Sequence, residues 1–84
     1  MKLLFTEKGW EDYLHWQQHN KSALRRINQL LRDVQREPFA GIGQPEPLRF
    51  GLSGCWSRRI DLEHRLVYQV AGDAVTVIQC RHHY

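Results

Sequence analysis

The chain has 84 residues, 42% of them hydrophobic and 25% charged, with a net charge of +3 at pH 7. This length predicts one small domain over residues 1–84, and the lack of both a run of ~20 apolar residues and a signal-peptide pattern predicts a cytoplasmic protein without a membrane span. Two cysteines are too few for a disulfide scaffold, so we expect Cys55 and Cys80 to be free, half-buried thiols.

The N-terminal half predicts a strand followed by two helices. Residues 2–5 form a short apolar strand, and Thr6 is a suitable N-cap for a helix that runs to about His19. Asn20 is a suitable N-cap for a second helix over about residues 21–37, where apolar residues recur at i, i+3, i+4 and i+7. This spacing predicts one broad apolar stripe that packs on a sheet.

The second helix also has a basic face. Its cations gather in a narrow arc roughly opposite the apolar stripe, at Lys21, Arg25, Arg32 and Arg36. Such a face is usually solvated charge, but it can also contact nucleic-acid phosphates independently of sequence. The basic, arginine-rich composition favours an anionic partner, nucleic acid first, because guanidinium groups suit bidentate phosphate contacts.

The C-terminal half predicts a loop and then a series of strands. Two glycines and two prolines make residues 39–47 irregular, and Gly72-Asp73 is a two-residue hairpin signal. Strands are predicted at about residues 48–50, 55–60, 65–71 and 74–81. This order predicts an α+β fold in which the N-terminal strand joins a mostly antiparallel sheet and both helices cover one of its faces.

The last four residues contain side chains that bind phosphate or move protons. A final strand that continues into them would hold Arg81, His82, His83 and Tyr84 in fixed places. We expect no metal there, because no cysteine or carboxylate stands near the histidines at a zinc-site spacing and adjacent strand residues face opposite ways. The sequence has no motif for another cofactor.

A few further residues complete a possible catalytic set. Glu46 stands between two prolines, which stiffen its backbone and display the carboxylate. Arg65 opens its strand, and Arg59 and Arg81 can share the open sheet face with it. Taken singly, these are an ordinary loop acid and common surface arginines. Together with a histidine and a tyrosine, they are what RNA cleavage by its own 2′-OH needs: a base, phosphate-stabilising cations and an acid.

Four stretches of the sequence resemble one known family. They are Pro45-Glu46-Pro47-Leu48, residues 52–60, Glu63-His64-Arg65-Leu66-Val67-Tyr68, and the closing Cys80-Arg81-His82-His83-Tyr84. Over essentially its whole length the chain resembles the YoeB toxins, a branch of the RelE-like mRNA interferases of bacterial type II toxin–antitoxin systems.

The resemblance implies a microbial-ribonuclease-like α+β fold and cleavage of translated mRNA in the decoding site of the ribosome, without metal or other cofactor. It implies a homodimer and a cognate antitoxin of the YefM or Phd type, whose disordered tail folds onto the toxin. By position, Glu46 matches the family's general base and His83 its general acid. Arg65 matches the phosphate-stabilising arginine, and Tyr84 the tyrosine that orients the substrate.

The resemblance also implies substrate-binding cations. Arg59 matches a second active-site cation, and Arg81 is expected beside it. Arg49 stands where we expect lysine. Arginine can replace lysine there if the site acts as a fixed cation, and replaces it poorly if the site acts through a proton. The basic face of the second helix would dock on ribosomal RNA.

Two other classes of function stay open on the residues alone. One is a non-catalytic inhibitor on the same scaffold, like the gyrase-poisoning relatives of RelE-like toxins, which lack the set Glu46, His83 and Tyr84. The other is a module that only dimerises or binds a partner. For such a module, substitution of Glu46 or His83 by alanine would leave growth inhibition unaltered.

Overall fold

The computed structural model describes residues 1–49 and 54–83, so residues 50–53 and Tyr84 lie outside the described residues. The described elements are β1 (Lys2–Phe5), α1 (Glu7–His19), α2 (Lys21–Arg36), β2 (Glu46–Pro47), β3 (Cys55–Arg59), β4 (Arg65–Ala71) and β5 (Ala74–Gln79). The strands form one sheet in the order β1-β5-β4-β3-β2. β1 pairs with β5 in parallel, and the other described pairs are antiparallel. The predicted α+β fold is confirmed.

Both helices begin at the caps that the sequence predicts. Thr6 Oγ1 accepts the Gly9 N–H at 3.0 Å and donates to the Ile78 carbonyl at 2.9 Å, which ties the start of α1 to β5. Asn20 Oδ1 accepts the Ala23 N–H at 3.1 Å at the start of α2. Because an N-cap side chain typically stabilises a helix by ~1 kcal/mol, these two residues fix where each helix starts.

The main core lies between the helices and one face of the sheet. The apolar stripe of α2 is buried as its spacing predicts, with Ile27, Leu30 and Val34 fully buried. It packs in one cluster with residues of β4 and β5, namely Leu66, Tyr68, Val75 and Val77. Each large apolar side chain contributes roughly 1.5–3 kcal/mol by leaving water, so this stripe holds the helical layer on the sheet.

A buried ion pair ties α2 and the loop after it to the sheet. Arg58 of β3 is fully buried, and its guanidinium donates to Asp33 Oδ2 at 2.5 Å. It also donates to three carbonyls of the loop, those of Glu37, Ala40 and Ile42, at 2.7, 3.0 and 3.1 Å. The Arg58 hydrogen bond, followed by that of the Ile42 N–H, holds the pKa of Asp33 at about 2. The loop is therefore anchored before it reaches β2.

The segment around Glu46 differs from the predicted irregular loop. Glu46–Pro47 form the edge strand β2, and the strand predicted at residues 48–50 is wrong for the described residues 48 and 49. A proline is tolerated in β2 because an edge strand can lack one N–H without breaking the ladder. Pairing with Ser57 of β3 therefore places Glu46 on the sheet.

The C-terminal strand ends earlier than predicted. β5 stops at Gln79, and residues 81–83 are not in a strand. Both polar backbone groups of Cys80, which a longer strand would pair with its neighbour, bind side chains of α1. The Cys80 N–H donates to Asp12 Oδ2 at 3.1 Å, and the Cys80 carbonyl accepts from Trp16 Nε1 at 2.7 Å. The prediction of a terminal strand through Arg81 is therefore wrong.

The two cysteines are free, as expected, but they are buried and not half-buried. Loss of hydration raises the pKa of the Cys55 thiol. Burial, and then the nearby Asp12 charge, raise the pKa of Cys80 to about 12. Both thiols therefore stay protonated near neutral pH and contribute packing rather than reactivity.

Candidate active site

Glu46 and Arg65 meet on the sheet face away from the helices. Arg65 Nη1 lies 3.2 Å from Glu46 Oε1, with the carboxylate side chain 53% exposed and the arginine side chain 13% exposed. The sheet register explains the contact, since Glu46 pairs with Ser57 while Arg65 pairs with Arg59. Ser57 and Arg59 are two residues apart on β3 and so face the same side. The sheet thus brings a carboxylate and a guanidinium together from two strands.

A small apolar cluster lies beside this pair on the same face. Val67 follows Arg65 by two residues on β4 and is fully buried. It packs with Leu48, Cys55 and Ile78. This apolar cluster excludes water from one side of the Glu46–Arg65 pair. The lower local dielectric there strengthens the interaction of a guanidinium with an anion.

The C-terminal segment reaches the start of β4 through a backbone hydrogen bond. The Arg65 N–H donates to the His82 carbonyl at 3.1 Å. His83 follows His82 in the chain, so its backbone lies near the strand start that bears Arg65, and the residue is exposed. Of the predicted catalytic set, the fold brings together Glu46, Arg65 and the segment of His83, whereas Tyr84 lies outside the described residues.

The three predicted substrate-binding cations occupy different surroundings. Arg59 is exposed opposite Arg65, and Arg49 is exposed just after β2. Arg81 is half-buried and not on a strand, so the prediction that it shares a strand face with Arg59 is wrong. Loss of hydration, and then the Arg81 charge, lower the pKa of His15 on α1, which places Arg81 within electrostatic range of that helix.

A cluster of possible metal ligands forms where the sequence predicts none. Glu63, His64 and His82 each offer a ligand atom within 4.8 Å of the others, although no carboxylate is expected near the histidines. Folding brings His82 to the adjacent pair Glu63-His64, and this 18-residue separation gives no signal in the sequence. His64 Nδ1 accepts the His82 N–H at 2.7 Å. Because an amide only donates, Nδ1 uses its lone pair to accept the His82 N–H, so a metal could bind this nitrogen only by displacing that hydrogen bond.

The basic face of α2 is exposed as predicted but is not uniform. Lys21, Arg25, Arg32 and Arg36 all reach the surface. Arg36 Nη2 lies 2.5 Å from Asp33 Oδ1, so its charge is partly compensated. Arg26, which the arc of predicted cations omits, lines one shallow open depression together with Arg25 and Arg32. No helix in the described part of the chain is long and apolar enough to cross a membrane.

Comparison with known protein sequences points to one family. The family described as "YoeB-like toxin of bacterial type II toxin-antitoxin system" matches residues 5–84. The Toxin YoeB of Escherichia coli (strain K12) is 52% identical over 84 residues, which cover 100% of both chains. The Toxin YoeB of Synechocystis is 56% identical over 84 residues, which cover 100% of this chain and 98% of the relative.

Solved structures have the same architecture. The YoeB/ParE toxin from Agrobacterium tumefaciens superposes with a TM-score of 0.97 at 50% identity over 100% of both chains. The YoeB dimer from Staphylococcus aureus gives a TM-score of 0.93 at 40% identity, over 100% of this chain and 98% of that one. A YoeB-YefM complex from the same organism gives 0.91 at 41% identity with the same coverage.

Proposed function

The chain belongs to the YoeB-like toxins of bacterial type II toxin–antitoxin systems, and on that premise we propose that it is a metal-independent endoribonuclease that cleaves translated mRNA in the decoding site of the ribosome. The main support is the contact between Glu46 and Arg65 on the open sheet face, next to the segment that bears His83. These three groups supply a base, a cation and an acid without a metal ion.

In the proposed reaction the Glu46 carboxylate takes the proton of a ribose 2′-OH. The 2′-oxygen then attacks the adjacent phosphorus, and the bond from phosphorus to the 5′-oxygen breaks. His83, as imidazolium, donates a proton to that leaving oxygen, and Arg65 stabilises the charge that develops on the phosphorane. The products are a 2′,3′-cyclic phosphate and a 5′-hydroxyl. Positioned acid and base groups typically contribute about 10²–10⁴-fold each.

In this scheme Arg65 can interact with two anions, the Glu46 carboxylate and the substrate phosphate. In the structure it contacts Glu46 from a mostly buried position. A substrate phosphate that enters between them would draw the guanidinium toward itself, because bidentate pairs of arginine with phosphate are strong. The carboxylate would then lose its contact with Arg65 and could turn toward the 2′-OH as the phosphate arrives.

The remaining predicted site residues are proposed to bind the substrate. Arg59 is adjacent to Arg65 across the β3–β4 ladder and can hold a neighbouring phosphate. Arg49, just after β2, would act as a fixed cation, and Arg81, just before His82, would add a cation at the edge of the site rather than on its sheet face. Tyr84 is proposed to orient the RNA, in line with its position after His83 in the sequence.

Dependence on the ribosome has a physical rationale. An aligned 2′-OH removes much of the entropic barrier to in-line attack, and effective molarities of about 10⁵–10⁸ M are known for well-oriented groups. We propose that the ribosome supplies this alignment and that the basic face of α2, with Arg25, Arg26 and Arg32 around one depression, contacts ribosomal RNA phosphates. Lys21 and Arg36 would add weaker contacts at its two ends.

The protein partners are proposed from the relatives. The Staphylococcus aureus structures hold a YoeB dimer and a YoeB-YefM complex. By extension we propose that this chain, acting as one domain in the cytoplasm, forms a homodimer and is neutralised by an antitoxin of the YefM type.

The proposal is tested by translation of a defined mRNA with purified ribosomes. The unaltered protein, Glu46→Ala and His83→Ala are added in turn, and new 5′ ends are mapped by primer extension. Glu11→Ala and His19→Ala are controls, because they remove the same residue types from exposed positions on α1. We expect codon-phased cuts with the unaltered protein and both controls, and strongly reduced cuts with the two site variants. A binding-only toxin would inhibit translation equally in all five forms and make no cuts.

A further inference from the structure

The backbone of His82 is held in an unusual conformation. His82 has φ 66°, in the left-handed region that residues with a side chain adopt infrequently. Its N–H donates to Nδ1 of His64 at 2.7 Å. Its carbonyl accepts the N–H of Arg65 at 3.1 Å. His64, which precedes β4, and Arg65, its first residue, thus bind both polar backbone groups of His82. We call this pair of hydrogen bonds the clamp.

The imidazole of His64 is itself fixed by its loop and by α1. Asp61 Oδ1 accepts the N–H of Glu63 at 2.8 Å and that of His64 at 2.7 Å, and the His64 carbonyl accepts the Ile60 N–H at 3.0 Å. The His64 ring stands edge-on to Trp16 with centroids 4.8 Å apart. Its side chain is only 13% exposed. The loop therefore presents Nδ1 in one orientation.

The hydrogen bond also sets the tautomer of His64. An amide N–H can only donate, so Nδ1 accepts it and the N–H of the ring is on Nε2. Glu63 Oε2 lies 3.7 Å from that nitrogen, on the other side of the ring from His82 N. A metal ion on His64 would have to displace either the Nε2 proton or the His82 amide. The arrangement therefore favours a structural acceptor over a metal ligand.

We propose that His64 is a positioning residue for RNA cleavage, which holds His82 in its left-handed turn and thereby aims the next residue, His83, across the site toward Glu46. The inference rests on the proposed function, in which His83 is the general acid. The clamp also links His83 to Arg65. The Arg65 N–H binds the carbonyl of His82, and His83, the proposed proton donor, is the next residue in the chain. A catalytic group that is misplaced by about 1 Å can lose 10²-fold in rate.

The test compares two isosteric replacements of His64. In His64→Asn the side-chain amide can present its oxygen where Nδ1 stands, whereas in His64→Gln the amide reaches the Nε2 position and leaves the His82 N–H without its acceptor. Both variants lack the ring that contacts Trp16, so they are matched for the packing that is removed. Their melting temperatures are measured to establish that both are folded.

Cleavage rates on ribosomes programmed with one mRNA then give kcat and KM. We expect kcat of His64→Asn within about threefold of the unaltered protein and kcat of His64→Gln lower by about tenfold or more, with KM little changed in both. Equal kcat for the two variants would overturn the positioning role. If the unaltered protein makes no cuts, it is the proposed ribonuclease function that fails.

Amide hydrogen exchange gives a readout that does not depend on activity. The His82 amide should be protected in the unaltered protein and in His64→Asn, and should exchange much faster in His64→Gln. The Cys80 amide, which donates to Asp12, is the internal reference and should stay protected in all three forms. Unchanged protection of the His82 amide in His64→Gln would show that the clamp is not made by Nδ1 and would overturn the inference.

Discussion

The Arg65 guanidinium lies 3.2 Å from the Glu46 carboxylate although the two residues stand on strands that are not neighbours in the sheet. β3 lies between them, and its register sets their separation. Both side chains project from the same face of the sheet. Their contact therefore depends on the pairing of β2 with β3 and on the pairing of β4 with β3. The pairing of β2 and β4 with β3 therefore also places the two residues of the candidate site side by side.

Arg65 provides the first prediction. We expect Arg65→Gln to lower single-turnover cleavage on ribosomes by about 10²–10³-fold, as removal of one group that stabilises transition-state charge typically does. Arg65→Lys should lose less, because it keeps the charge but not the planar fork. The control is Lys2→Gln, which removes an exposed cation from β1. Equal rates for Arg65→Gln and Lys2→Gln would contradict the assigned role.

The basic face of α2 provides the second prediction. Arg25→Glu and Arg32→Glu should each weaken binding to ribosomes and make the salt dependence shallower, by about 0.7 in the slope of log K against log salt for each phosphate that the protein no longer neutralises. Lys2→Glu makes the same change in net charge away from α2 and should have little effect. Binding is measured by co-sedimentation over a salt series, with circular dichroism to monitor the fold. An unchanged slope in both arginine variants would refute the docking surface.

The buried pair of Asp33 and Arg58 provides the third prediction. Asp33→Asn should lower the free energy of unfolding by about 3 kcal/mol, because it leaves Arg58 buried without its counter-charge. The exposed Asp73→Asn is the control. Urea unfolding measures both variants, and a decrease no larger for Asp33→Asn than for Asp73→Asn would speak against the pair as an anchor.

The pair of Asp33 and Arg58 also makes the stability of the fold depend on pH, and the sign of this dependence follows from the pKa of Asp33. The pKa of Asp33 is lowered from 3.8 to about 2 in the folded protein. The stabilisation is therefore fully present above the unfolded value and is lost as the pH falls from about 4 toward 2. Stability measured across this window should fall more steeply for the unaltered protein than for Asp33→Asn. Identical slopes would show that another carboxyl group dominates the acid transition.

The cysteines provide the fifth prediction. Burial raises the pKa of Cys55, and it raises that of Cys80 to about 12. The thiolate is the reactive form, so iodoacetamide at pH 8 should modify neither residue in the native protein and both in urea. Mass spectrometry of the intact chain counts the modified residues. Rapid labelling of Cys80 in the native state would mean that the end of β5 opens readily.

Much of the fold follows from local signals in the sequence. Thr6 and Asn20 predict the starts of both helices, and the apolar stripe of α2 predicts the face that packs on the sheet. Gly72-Asp73 predicts the last hairpin. These signals are reliable because capping, apolar spacing and turn conformation each depend on residues within a few positions of one another.

The errors arise where distant residues compete for backbone groups. The end of β5 cannot be read from its apolar alternation, because Asp12 and Trp16 of α1 take the Cys80 N–H and carbonyl. The His64–His82 contact is equally non-local. For the candidate site, the residue types could be chosen from the sequence, and the structure shows a contact between Glu46 and Arg65. Their catalytic roles stay predictions.

The central claim is that this protein uses the 2′-OH of the RNA as the nucleophile, with Glu46 as the base. The most direct measurement places a single 2′-deoxynucleotide immediately 5′ of the cut site in an mRNA bound to ribosomes. We predict that this substitution abolishes the cut at that bond, whereas a 2′-deoxynucleotide one position further along leaves it nearly unchanged. Efficient cleavage of the bond that follows the 2′-deoxynucleotide would contradict the account.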